Sequence, residues 1–88
     1  AYEIDSNKEH GNGRPDLILK PNHPEKPAVI IELKRVSSFK DMKPACTDAL
    51  KQIEEKHYAK DLEKEGYTNI LKYGICFCKK SCMVILSE

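Results

Sequence analysis

The sequence has little charge imbalance, no long apolar run and few aromatic residues. Fifteen Lys and Arg stand against fourteen Asp and Glu, a formal net charge of +1. That balance excludes a histone-like or polybasic mode of binding and leaves bulk charge silent about partners. No uninterrupted apolar stretch exceeds a few residues, far short of the roughly 20 that a membrane-spanning helix needs. The first ten residues, AYEIDSNKEH, are mostly polar, so no secretory leader is read there. Internal repeats and low-complexity tracts are also missing. What remains is 88 residues, 40% hydrophobic and 33% charged, the composition of a small globular domain rather than of a disordered chain. A chain of this length buries only about 60–65% of the surface its unfolded form exposes. The core is therefore expected to be thin, with stability leaning on a partner, a metal or further sequence. Because Ala1 already lies in strand-like sequence, residues 1–88 are expected to form one domain cut from a longer protein.

Cysteine is present but not in a metal-finger pattern. Cys46, Cys76, Cys78 and Cys82 include no CxxC pair, and no histidine lies near the C-x-C-x3-C cluster. In a strand, Cys76 and Cys78 share one face, with Phe77 on the other. These thiols are read as small hydrophobes packing in a reduced, cytoplasmic protein. A disulfide or zinc site is the alternative.

The period of the apolar residues outlines the fold. Tyr2 to Ser6 alternates as a strand, and Asn7 to Gly13 is a polar, glycine-bearing turn. Asp16 to Lys20 is a second strand, and the proline-rich KPNHPEKP that follows is a loop. Ala28 to Val36 (AVIIELKRV) is apolar on both faces at its centre, which predicts a strand covered on both sides. After Ser38 the period lengthens. Cys46, Ala49, Leu50, Ile53 and His57 or Tyr58 recur at helical spacing. Asp41 is the expected cap, Pro44 lies in the first turn, and Gly66 is the expected stop. The helix is predicted to bend near His57. Ile70 to Cys78 and Cys82 to Leu86 form a closing pair of strands. The order β-β-β-α-β-β describes an α/β domain whose helix crosses between the third and fourth strands.

Three polar residues fall where the surrounding sequence demands burial. Asp16 opens the second strand, directly after Pro15, while Glu32 and Lys34 interrupt the most apolar strand. Strand period sets Glu32 and Lys34 on one face, with Leu33 on the opposite face, expected to be packed. A carboxylate and an ammonium in the centre of a sheet are costly unless they are paired or bind a metal. If the second and third strands are neighbours, Asp16 comes near Glu32. Two carboxylates with a backbone carbonyl make a hard-oxygen site for Mg2+ or Mn2+, and a lysine beside them can hold or deprotonate a water. A purely structural Glu32–Lys34 pair is the other reading.

Pro15-Asp16, followed sixteen residues after the aspartate by Glu32-Leu33-Lys34, resembles the PD-(D/E)XK nuclease superfamily. The runs SNKEHGNGRPDLILKP, AVIIELK and ALKQIEEKHYAKDLEKEGYTNILKYGICFCKK are similar to a bacterial family of such domains at the C-terminal end of AAA-ATPase-like proteins. The resemblance implies a restriction-endonuclease-like core. It implies that Asp16 and Glu32 hold Mg2+ or Mn2+ together with the Leu33 carbonyl, and that Lys34 positions and activates the attacking water. It places Gln52 against the active site and gives Tyr58 the part of the aromatic that accompanies it at the substrate. Glu9 matches an acidic position able to reach the metal or its water shell, with a solvated turn carboxylate as the alternative. Arg14 contacts a phosphate or pairs with an acidic neighbour.

One departure is visible. The superfamily core usually begins with a helix packed on the sheet, and no helical sequence precedes Tyr2. Either that helix is omitted from this sequence or another chain covers the sheet. Uncovered, the face of Tyr2, Ile4, Leu17 and Leu19 is expected to be an association surface, with a homodimer as its partner. An ATPase-like parent region is the other partner expected of the domain. Lys79 and Lys80, at a turn tip, serve solubility or a phosphate contact. The function expected first is a metal-dependent nuclease acting on DNA. The alternatives are a catalytically silent or partner-dependent binding module and, more distantly, a zinc module.

Overall fold

A computed structural model describes residues 2–7 and 14–87. Five strands form one mixed sheet in the order β1-β2-β3-β4-β5. They are β1 (Tyr2–Ser6), β2 (Leu17–Pro21), β3 (Ala28–Arg35), β4 (Ile70–Cys78) and β5 (Ser81–Ser87). Only β3 and β4 run parallel, and the other neighbours pair antiparallel. A parallel pair needs a long crossover. Here it is a short 3-10 turn (Phe39–Asp41), then α1 (Met42–Glu55) and α2 (Tyr58–Lys64).

The single bent helix predicted from the sequence is two helices. His57 adopts a left-handed conformation, φ 56°, between them, which breaks the hydrogen-bond ladder. Asp41 sits at the N-cap position of α1 but makes no side-chain capping bond, because the 3-10 turn already feeds the chain into the helix. The stop after α2 follows the expectation at Gly66, φ 105°. The Gly66 N–H donates to the Glu63 carbonyl and the Tyr67 N–H to the Leu62 carbonyl, the pair of bonds that closes a helix through a left-handed residue.

Residue parity decides which side of the sheet each strand residue serves. Ala28, Ile30 and Glu32 of β3 and Gly74, Cys76 and Cys78 of β4 turn to the helices and are buried. Ala28 and Ile30 pack with Ile53, Tyr58 and Leu62. Met42 and Cys46 pack with Cys76 and Cys78, so three of the four thiols fill core, while Cys82 is exposed. At Gly74 the helix comes closest. A Cβ there would lie 2.5 Å from the Cys46 carbonyl oxygen and 3.2 Å from the Ala49 Cβ, so glycine lets α1 rest directly on β4.

The other parity meets no cover among the described residues. Ile4, Leu19, Val29, Leu71 and Ile31, Tyr73, Leu86 line up across the strands by register. Ile4, Leu33, Phe77, Val84 and Leu86 are exposed, Val84 at 53%. The expectation that β3 is covered on both sides, with Leu33 on a packed face, is therefore corrected. Leu33 is 37% exposed, since no element described here packs on that side.

Candidate active site

The signature residues meet at the edge where β2 begins and β3 ends. Pairing of β2 with β3 stops at Leu17 and Ile31, so Asp16, the strand start read from sequence, lies just outside β2, which begins one residue later. Beyond that point side chains replace the ladder. The Asp16 N–H donates to Glu32 Oε1 at 2.9 Å, and the Leu33 N–H donates to Asp16 Oδ2 at 2.8 Å. Each carboxylate thus gives one oxygen to the backbone across the strand edge. In a strand, a residue's N–H and C=O leave on the same edge. The Leu33 carbonyl therefore faces the β2 side, where Asp16 stands.

Glu32 is 3% exposed, and burial pushes its carboxyl above the ordinary range. The Asp16 charge raises it further, while the Asp16 N–H and the Lys34 ammonium pull it back. Lys34 lies on the same face as Glu32, and its Nζ donates to Gln52 Oε1 at 2.7 Å. Gln52 reaches Lys34 because α1 lies so close to β4, and Gly74, which permits that approach, is the register partner of Glu32. On its outer side Gln52 lines an open cavity of about 480 Å³ with Asp48, Lys51, Glu55 and Lys56.

The remaining residues fall elsewhere. Tyr58, assigned to substrate by the resemblance, is 4% exposed and packs in the core. Its hydroxyl is buried with no hydrogen-bond partner among the described residues. Burial raises its phenol, the neighbouring Gln52 amide lowers it, and the Glu32 and Asp16 charges raise it. In this structure Tyr58 backs the site from beneath Gln52. Of the two readings of Arg14, the acidic neighbour is the one seen: its guanidinium pairs with Asp5. Glu9 lies outside the described residues. Gly74 was passed over in the sequence, although a glycine inside an apolar strand marks a close backbone approach.

The donor set suits a hard divalent cation. Among the described residues no three His, Cys, Asp or Glu side chains cluster as a metal site; the donors brought together here are two carboxylates and a carbonyl. That small set matches a cation that keeps several of its waters. It would also relieve the buried charge on Glu32.

The sequence pattern of the PD-(D/E)XK nuclease superfamily matches residues 1–87. No curated protein and no solved structure matches the chain. Members of that superfamily usually use divalent metals and act on nucleic acids. With the match spanning nearly the whole sequence and the strand–helix order agreeing with its core, the chain belongs to the PD-(D/E)XK nuclease superfamily.

Proposed function

We propose that this domain hydrolyses phosphodiester bonds of DNA in a reaction dependent on Mg2+ or Mn2+. The observation that carries the reading is the crossed pair of backbone–carboxylate bonds at Asp16 and Glu32, which fixes two carboxylates at one strand edge with Lys34 beside them. Asp16, Glu32 and the Leu33 carbonyl would hold the cation. When bound, it would polarise the phosphate and lower the pKa of a coordinated water. Lys34, oriented by Gln52, positions the attacking water and offsets charge gathering on the phosphate. The water oxygen bonds to phosphorus and gives up a proton to solvent, the phosphorus–oxygen ester bond breaks, and the departing oxygen takes up a proton from solvent. Glu9 is assigned to the water shell of the metal on the resemblance alone.

The test is incubation of the purified protein and Glu32→Ala with labelled linear and circular DNA in Mg2+, Mn2+ or EDTA. Cutting by the wild type alone, absent in EDTA, is expected. Equal cutting by both proteins sinks the assignment. One observation favours a second reading, a silent or partner-dependent module inside a larger ATPase-like protein. The apolar sheet face lacks a cover among the described residues, so the domain is suited to work against another surface. Metal binding without cutting would move the balance to that reading.

A further inference from the structure

The near-neutral chain conceals a local excess of positive charge at the end of the sheet that carries Glu32 and Lys34. Residues 35–43 and 79–80 contain five Lys and Arg and one acid, Asp41, in a chain whose total is +1. β3 runs out at Arg35, and the Val36 N–H donates to the Phe77 carbonyl at 2.9 Å. That bond holds the exit of β3 against β4, so the β4–β5 turn lies alongside. Between the two runs an open groove of about 540 Å³, lined by Arg35, Val36, Ser37 and Lys79. Among the described residues neither Arg35 nor Lys79 has a carboxylate at ion-pair distance.

Lys79 is held there at a conformational cost. Its φ is 55°, a conformation that a turn usually gives to glycine. Backbone strain of this kind concentrates at functional sites. The side chain is also steadied, since Nζ lies 5.3 Å from the centroid of the Phe39 ring, itself 56% exposed. Arg35 follows Lys34 directly, with Cα atoms about 3.8 Å apart and side chains on opposite faces of the strand. A polymer with phosphates at both Lys34 and Arg35 would have to pass over the strand end, where the groove lies.

We infer that this groove is a phosphate-binding track for a polynucleotide, in which Arg35 and Lys79 take backbone phosphates beside the one presented to Glu32 and Lys34. Arg35 offers a planar fork and Lys79 a point charge. Neither reads base edges, so the track is indifferent to sequence. The inference rests on the nuclease reading only for the polymer's identity.

The experiment measures binding without cutting. Fluorescence anisotropy of labelled single-stranded and duplex oligonucleotides is recorded in EDTA across a salt series. The proteins are the wild type, Arg35→Gln/Lys79→Gly, and a control pair on α2, Lys60→Gln/Lys64→Gln. The groove variant is expected to bind about tenfold or more weakly, alike for different sequences, with a salt slope shallower by roughly 1–2. The control pair is expected to keep the wild-type affinity. Lys79→Gly alone removes the side chain while relieving the backbone, so an unchanged or higher Tm beside weaker binding separates the groove from folding. Unchanged affinity and slope, an equal loss in the control pair, no polynucleotide binding by the wild type at low salt, or equal affinity for polyglutamate would each overturn the inference. Binding through the groove without cutting in Mn2+ removes the nuclease reading and keeps the track. Cutting by a groove variant of wild-type affinity does the reverse.

Discussion

The two faces of the sheet are built from the same kinds of side chain and end in opposite states. On one, Ala28, Ile30, Cys76 and Cys78 disappear beneath α1 and α2. On the other, Ile4, Leu33, Phe77, Val84 and Leu86 stand exposed among the described residues. The difference lies in what covers them, since both parities of β3 and β4 are apolar at their centres. Stability is thus concentrated on the helix side. The candidate site residues share it: Glu32 and Lys34 have the parity of Ile30, and Gln52 comes from the covering helix. The candidate site is held by the packed face, and the other face is uncovered among the described residues.

The largest effects should separate the two faces. Ile30→Ala removes a fully buried side chain and is expected to cost about 3–4 kcal/mol in chemical denaturation. Leu33→Asp, on the open face, is expected to cost about 1 kcal/mol or less in the monomer. If Leu33→Asp unfolds the protein as Ile30→Ala does, the open face is covered in solution and the contrast is broken. Gly74→Ala sharpens the same comparison. Its Cβ would meet the Cys46 carbonyl at 2.5 Å, and the loss is expected to be about 2–3 kcal/mol. Gln52 should also draw away from Lys34, lowering cleavage in the fraction that stays folded.

A pH-dependent effect is expected at Glu32. Burial holds its carboxyl above its ordinary value of 4.5, so the folded state binds this proton more tightly than the unfolded state. Its contribution to stability therefore falls as pH rises through that interval, and the penalty is full once the folded carboxyl has ionised. In metal-free buffer Glu32→Gln is expected to be more stable than the wild type at neutral pH. The gain should vanish below about pH 4.5, and thermal melts across pH measure it. A gain that persists in acid would assign the effect to packing. The smallest effect is Tyr58→Phe, which deletes a buried hydroxyl lacking a partner among the described residues and is expected to stabilise by about 1 kcal/mol. A loss of stability would show that the hydroxyl is hydrogen-bonded in solution.

What was legible in the sequence followed from short-range periods. Alternation in AVIIELKR located β3 and put Glu32 and Lys34 on one face, and Gly66 marked the helix end through its backbone freedom. The Asp16–Glu32 meeting needed only that adjacent strands pair. Three features needed distant contacts. Tyr58 has the spacing of a helix-face residue, but whether that face met solvent or core depended on the angle of α2. Gly74 could be read as a close approach only once α1 was placed over it. The open face was expected at Tyr2, Ile4, Leu17 and Leu19 but not across β3, because apolar residues on both sides of β3 predict two covers and alternation carries no information about whether the second is present.

The most direct test of the central claim separates binding from chemistry. Wild type and Lys34→Ala would be compared for Mn2+ binding by calorimetry and for cleavage of labelled DNA under single-turnover conditions. Both proteins are predicted to bind Mn2+, because Asp16, Glu32 and the Leu33 carbonyl are untouched. Only the wild type is predicted to cut, with the variant slower by about 10²-fold or more. Equal cutting by the two proteins, or no metal-dependent cutting by the wild type, would contradict the account.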